Sequence, residues 1–144
     1  MDYDELISKL GEMIGISDLA FEGDGSCSVI FDDDEFFFEK VKNRLVIIAP
    51  LGPAENKEEI YRELLEANFM GQDSALGSIG INPEQEEFVL TRVLEGEEPY
   101  ETFEESLLIM IRSARKWKPI IREGKNKAVT SGSSSDNAAF FDLV

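Results

Sequence analysis

The chain has 144 residues, enough for one ordinary domain with or without a tail and too few for a second catalytic one. Its 42% hydrophobic and 10% aromatic content supplies a sizeable core, while 30 Asp+Glu against 14 Lys+Arg leave a net charge of −16 that repels nucleic-acid phosphates and anionic lipid and favours basic segments. With no histidine and one cysteine, Cys27, the chain has no Ser-His-Asp triad, Cys-His dyad, internal disulfide, or His-containing or Cys-rich zinc site.

At the N-terminus Asp2, Asp4 and Glu5 stand where a signal peptide would have basic residues, and no apolar run follows. Apolar runs such as Leu107 to Ile111 are too short to span a bilayer. A reducing cytoplasm is the expected compartment, with Cys27 a buried small hydrophobe.

Tyr3, Leu6, Ile7, Leu10, Met13 and Ile14 recur at helical spacing and predict an amphipathic helix over Asp2–Ile14, capped by Asp2 with Glu5 three residues on and ended by Gly15. The period then changes. Ala20–Glu22, Cys27–Phe31, Glu35–Lys42 and Leu45–Pro50 are short aromatic and β-branched runs separated by Gly23-Asp24-Gly25, Asp32-Asp33-Asp34 and Asn43-Arg44, the pattern of an antiparallel meander. Phe36, Phe37 and Phe38 put aromatics on both faces of one strand, so one face is expected to meet helices and the other something else.

After Gly52-Pro53, Asn56 is placed to cap a second helix running through Met70, with Ile60, Tyr61, Leu64, Leu65, Ala67 and Phe69 in a wide apolar arc, and Gly71 is placed to stop it. Leu76–Ile81 and Glu87–Leu94, flanking Asn82-Pro83-Glu84-Gln85, read as a hairpin. A third helix is expected from Thr102, with Glu105 completing a capping box, through Trp117 to a kink or end at Pro119. The expected fold class is therefore α+β: an antiparallel twisted sheet with three helices in the order α-β-β-β(-β)-α-β-β-α, forming one domain over residues 1–124. Residues 125–144 differ in texture, with a Ser/Gly-rich linker followed by the apolar Ala138–Val144. That tail carries two lysines and two aspartates, so all sixteen excess negative charges lie before it.

No constellation points to catalysis, a cofactor or a metal. Asp32-Asp33-Asp34-Glu35 is consecutive and flanked by strands, unlike a calcium loop with alternating ligands between helices, and reads as a solvated turn. Gly23-Asp24-Gly25-Ser26 lacks the lysine of a phosphate loop and opens a strand. Arg112, Arg115, Lys116 and Lys118 around Trp117 suit the C-terminal end of a helix dipole, with the indole packed on the sheet.

Leu64-Leu65-Glu66-Ala67-Asn68-Phe69-Met70-Gly71-Gln72 resembles the leucine-rich signature of class I type III secretion chaperones, the Tir-chaperone family. Ala49-Pro50-Leu51-Gly52 before it, then Gly77–Asn82, Phe88–Arg92 and the final helix with Trp117, are similar in order and spacing, so the resemblance spans about residues 2–123. It implies a homodimeric, ATP-independent chaperone of the bacterial cytoplasm with a role in virulence. Such a protein holds the N-terminal segment of a secreted effector in extended form, and the ATPase of the secretion apparatus is a further possible partner. Strand addition with side-chain pockets is the physical mode.

On this reading Tyr3, Leu6, Ile7, Leu10, Phe36, Phe38, Val46 and Ile48 are the expected effector-binding residues. Ile60, Leu64, Leu65, Phe69, Leu76, Ile79 and Ile81 are the expected dimer interface. Pro119 and the 125–144 tail depart from the family pattern. For the apolar tail end two readings stand: docking in the cargo groove until an effector displaces it, or touching nothing. An acidic regulator that occupies a basic partner or mimics nucleic acid is the alternative function.

Overall fold

The computed structural model describes residues 1–124. The elements are α1 (Tyr3–Ile14), β1 (Ser26–Phe31), β2 (Asp34–Val41), β3 (Arg44–Pro53), α2 (Tyr61–Ala67), β4 (Ser78–Asn82), β5 (Glu87–Glu95) and α3 (Tyr100–Glu123). Short 3₁₀ turns, Glu58–Ile60 and Phe69–Gly71, bracket α2. The strands form one antiparallel sheet in the order β1-β2-β3-β5-β4, so β1 and β4 are its edges.

Alternation along the strands sorts the residues into two faces. Cys27, Val29, Phe36, Phe38, Leu45, Ile47, Ala49, Leu51, Ile79, Phe88, Leu90 and Leu94 are buried in the core, together with Tyr3, Leu6, Ile7 and Leu10 of α1 and Phe103, Leu107, Met110, Ala114 and Trp117 of α3. The opposite face carries the cross-strand row Ser28, Phe37, Ile48, Thr91 and Ser78 and the row Glu39, Val46 and Val93, with partly exposed apolar side chains.

Helix α1 forms as its sequence prescribes. The Asp2 carboxylate accepts from Glu5 N–H at 2.9 Å, and Gly15 follows the last turn. Other local expectations give way. Ala20–Glu22 is not a strand, since the backbone there makes only turn contacts leading into β1. Asn56 does not cap α2. It sits at φ 60 in a turn, and the helix instead grows out of a 3₁₀ turn with no side-chain cap.

The third helix starts two residues earlier than Thr102, at Tyr100, with Phe103 N–H donating to Pro99 C=O. Pro119 does not end it. The ring lacks an N–H for the Arg115 carbonyl, yet the last turn stays helical to Glu123 because Ile120 and Ile121 are buried. Lys57 Nζ also donates to the Arg122 carbonyl at 3.2 Å.

Candidate functional site

Among the described residues, two apolar surfaces stand out besides the open face of the sheet. The first is a patch built by α2 and its connection to β4. Leu64 and Leu65 are neighbours in sequence but oppositely placed: Leu64 is 4% exposed against the core and Leu65 is 69% exposed. Phe69, Met70, Leu76 and Ile81 are exposed with Leu65. The expected dimer set therefore divides. Ile60, Leu64 and Ile79 are buried in this chain's own core, because they lie on the inner side of the same elements, and are not available to a partner. Leu65, Phe69, Leu76 and Ile81 are available.

The patch is held in shape by specific bonds. Asn68 Nδ2 donates to the Ile79 carbonyl at 3.0 Å while Ile79 N–H donates to Asn68 Oδ1 at 2.7 Å, so one side chain brackets the backbone of edge strand β4. Trp117 Nε1 donates to the Asp73 carbonyl at 2.9 Å, and Ser74 Oγ donates to the Gly77 carbonyl at 2.9 Å. Met70, Ala75 and Leu76 all have positive φ, a conformation that costs energy for residues with a Cβ and persists only where surrounding contacts enforce it. At Gly71 a Cβ would stand 2.7 Å from Leu76 Cα, and at Gly77 it would stand 2.0 Å from the Thr91 carbonyl oxygen, so neither position accepts a side chain. The Leu64–Gln72 signature thus has a structural meaning: Leu64 and Ala67 anchor, Asn68 brackets, Gly71 turns, and Leu65, Phe69 and Met70 face out.

The second surface is a groove of about 640 Å³ at the other end of the sheet. Its walls are Met13, Ile14 and Ile16 from the end of α1 and beyond, Ile30, Phe31 and Asp32 from β1 and its turn, and Tyr100, Glu104, Leu107, Leu108, Ile111 and Arg115 from α3, with Leu10 also lining it. Met13 and Ile30 are 62% and 63% exposed. The end of edge strand β1, Ile30 and Phe31, lines the groove, and among the described residues β1 pairs with β2 alone.

Of the expected effector-binding residues, Tyr3, Leu6, Ile7, Leu10, Phe36 and Phe38 are buried. The helical stripe and the two phenylalanines face each other across the core, which leaves them no free surface for a partner beyond Leu10's place in the groove lining. Val46 and Ile48 lie partly exposed on the open sheet face. Sequence reasoning left Met13, Ile14, Ile16 and Ile30 out of the site. For Met13 and Ile14 the signal is present in the sequence, since they continue the α1 stripe.

An ionic cluster closes one end of the groove. Arg115 Nε donates to Asp34 Oδ2 at 2.8 Å and its Nη2 to Asp32 Oδ2 at 2.9 Å, while Lys118 Nζ donates to Asp34 Oδ1 at 2.6 Å. The Asp32–Asp34 turn is therefore not simply solvated, and Arg115 and Lys118 do more than complement a helix dipole: they tie α3 to the β1–β2 turn. Burial acts to raise the Asp34 carboxyl, but the hydrogen bonds and charges of Arg115 and Lys118 outweigh it and hold the group below the usual carboxylate range. The Tyr100 hydroxyl is buried beside Glu104, and burial first, then the Glu104 and Glu101 charges, push its pKa well up, so it stays neutral. Burial likewise raises the Cys27 thiol, as expected of a structural cysteine.

Among the described residues no group of three or more His, Cys, Asp or Glu side chains is placed to hold a metal ion, and no helix is long and apolar enough to cross a membrane. A two-layer fold with helices on one face, open sheet edges and two apolar surfaces defines a binding protein. The chain matches the model of the Tir chaperone protein (CesT) family over residues 5–118 and belongs to that family, a family of chaperones.

Solved structures share the fold at low identity. A chain of the crystal structure of the ExsC-ExsE complex is 20% identical with a TM-score of 0.69, covering 83% of this chain and 96% of that one. A chain of the HopA1-SchA chaperone-effector complex is 17% identical with a TM-score of 0.67, covering 81% and 93%. A chain of the Yersinia pestis type III secretion chaperone SycH in complex with a stable fragment of YscM2 is 14% identical with a TM-score of 0.64, covering 80% and 98%. No curated protein sequence matches.

Proposed function

We propose that this protein is a cytoplasmic, homodimeric bacterial chaperone for a type III secretion effector, binding an N-terminal effector segment in extended form and keeping it soluble and ready for secretion. The observation that supports the reading is the groove of about 640 Å³ at the end of β1, an edge strand that among the described residues pairs with β2 alone. An extended segment adds its backbone to that edge and places alternate side chains among Met13, Ile14, Ile16, Ile30 and Leu107. Val46 and Ile48, with Phe37, offer a further contact on the open sheet face. Membership of the Tir chaperone family supports the reading, as does the likeness to chains from complexes of chaperones with effectors.

The dimer uses Leu65, Phe69, Leu76 and Ile81. A two-fold contact through this patch is isologous and covers the same residues on both protomers. The ATPase of the secretion apparatus is a further partner of the loaded complex.

The test is co-purification with the effector from the native bacterium, then binding of its N-terminal segment to the unaltered protein and to the Ile14→Asp, Ile30→Asp double variant. A loss of at least about tenfold in the variant, with binding that persists at high salt, is expected. A complex that dissociates as salt rises, and is indifferent to the two substitutions, sinks the reading in favour of an acidic mimic.

A further inference from the structure

One stripe of α3 lines the groove: Tyr100, Glu104, Leu107, Leu108, Ile111 and Arg115 follow one another at helical spacing. Its middle is apolar and its ends are not. At one end Asp32 and Asp34 take the Arg115 guanidinium at 2.9 and 2.8 Å, and Lys118 meets Asp34 at 2.6 Å. Two cations and two carboxylates leave that end without net charge. Glu104, half-buried toward the other end, enters none of these pairs.

From this asymmetry we infer that Glu104 is the specificity-determining residue of the groove, taking a lysine or arginine side chain of the bound segment, and that Tyr100 positions it. The inference rests on the groove being the effector site. The apolar tail end, for which docking in this groove is one of two expected readings, lies outside the described residues, and the site is built from residues 1–124 alone.

Tyr100 supplies a second, independent observation. It is 5% exposed, and among the described residues its buried hydroxyl has no hydrogen-bond partner of good geometry. Glu104 stands beside it, one helical turn on. Burial and the Glu104 and Glu101 charges keep the phenol protonated, so its proton is available to the Glu104 carboxylate. What the pair then offers a ligand is oxygen lone pairs and one negative charge, which select a hydrogen-bond donor, and a charged donor above a neutral one. A cation is already drawn to this corner: Lys9 Nζ stands over the face of the Tyr100 ring, 5.1 Å from its centroid. The net charge of −16 attracts basic segments to the whole surface, whereas Glu104 chooses where along the groove the basic residue sits.

The spacing also fixes what surrounds that residue. From Glu104 to Arg115 is about 16 Å along the helix at ~1.5 Å per residue, a distance that an extended segment crosses in about five residues. The ligand is therefore an extended stretch with one basic side chain at Glu104 and apolar ones at alternate positions over Leu107, Leu108 and Ile111.

The experiment titrates the full chain with the acetylated, amidated nonapeptide Leu-Ser-Leu-Ser-Lys-Ser-Leu-Ser-Leu and with its counterpart carrying uncharged norleucine in place of lysine. Methyl NMR of isoleucine, leucine and methionine reads binding up to millimolar peptide. Both peptides should shift the groove methyls of Met13, Ile14 and Ile30, and the lysine peptide should bind about fivefold tighter or more. Glu104→Gln should abolish that preference, while Glu105→Gln, which removes the same charge from an exposed neighbour, should keep it. Tyr100→Phe should reduce the preference and leave the norleucine affinity unchanged; a fall in both affinities alike would overturn its positioning role. Equal affinity for the two peptides, or a preference that survives Glu104→Gln, overturns the inference and leaves the groove reading standing. A preference lost equally in Glu105→Gln is general charge attraction and overturns the inference as well. Groove methyls that neither peptide shifts overturn the groove reading, and the inference with it.

Discussion

The α2–β4 patch and the α1–β1–α3 groove are both apolar and both exposed, but they are made in opposite ways. The patch stands on a backbone held by side chains at two points, Asn68 bracketing Ile79 and Trp117 donating to Asp73, with positive φ at Met70, Ala75 and Leu76. The groove has the reverse composition. Its walls are mostly apolar side chains, and they adjoin the end of β1, an edge strand that among the described residues pairs with β2 alone. A surface whose backbone is pinned suits a rigid, self-complementary contact, and one with an open edge suits an extended segment.

The largest expected effect separates either surface from the core. Leu64→Ala should cost about 2–5 kcal/mol, because a 4%-exposed side chain leaves a cavity. Leu65→Ala, one residue on and 69% exposed, should stay within about 0.5 kcal/mol in the monomer. Chemical denaturation of the two variants checks this, and equal costs would mean that the inner and outer sides of α2 are wrongly assigned. Leu65→Asp carries the contrast into association. It should weaken the dimer at least about tenfold by placing a charge at an apolar contact, while effector binding by the remaining folded protein depends on the groove. Light scattering that gives a dimer mass for this variant at micromolar concentration would remove the patch from the interface.

These pairs also mark what is legible in the sequence. Asp2 and Gly15 announce α1 because capping is local chemistry, and Phe36-Phe37-Phe38 announces a strand with two apolar faces because alternation is local geometry. Periodicity says that Tyr3, Leu6, Ile7 and Leu10 share a stripe. It does not say what covers the stripe, and here α3 and the sheet do, so residues expected to hold cargo form the core while Met13 and Ile14 line the groove. The second helix was expected to run through Met70, but α2 closes at Ala67, since the later residues are held by long-range bonds to Ile79 and by the turn at Gly71. Asp32 and Asp34 look like a solvated turn until α3 brings Arg115 and Lys118 across more than eighty positions of chain.

Asn68→Ala probes the patch from its backbone side. The Ile79 N–H and C=O lose their partners, which should cost about 1–3 kcal/mol. Dimerisation should weaken with it, because the end of α2, with Leu65 and Phe69, is no longer tied to β4, while groove methyls at Ile14 and Ile30 keep their positions. Methyl NMR alongside denaturation reads both effects. Displacement of the groove methyls would show that the two surfaces are mechanically coupled and so break the comparison.

The smallest effect belongs to the ionic cluster at the groove's end. The Asp34 carboxyl has a lowered pKa in the folded protein, so above the unfolded value of about 3.9 it is charged in both states and its contribution is complete. As pH falls below about 4 the unfolded chain takes up the proton first, stability declines, and the contribution is gone once pH has passed through the lower folded value. Between pH 5 and 8 it is constant. Asp34→Asn should therefore cost about 1–2 kcal/mol at pH 7, a modest figure because the Arg115 and Lys118 side chains are about a third exposed and regain water. The difference in stability between the unaltered protein and Asp34→Asn should shrink toward zero only below pH 4, which isolates this group from the other carboxylates titrating there. At pH 7 the variant should also shift the Ile30 methyl and leave Leu76 untouched, because Arg115 and Asp32 line the groove whereas the patch is pinned through Trp117, two residues further along α3. Shifts at both would mean that α3 transmits the loss from one surface to the other, and the two regions would then have to be treated as one.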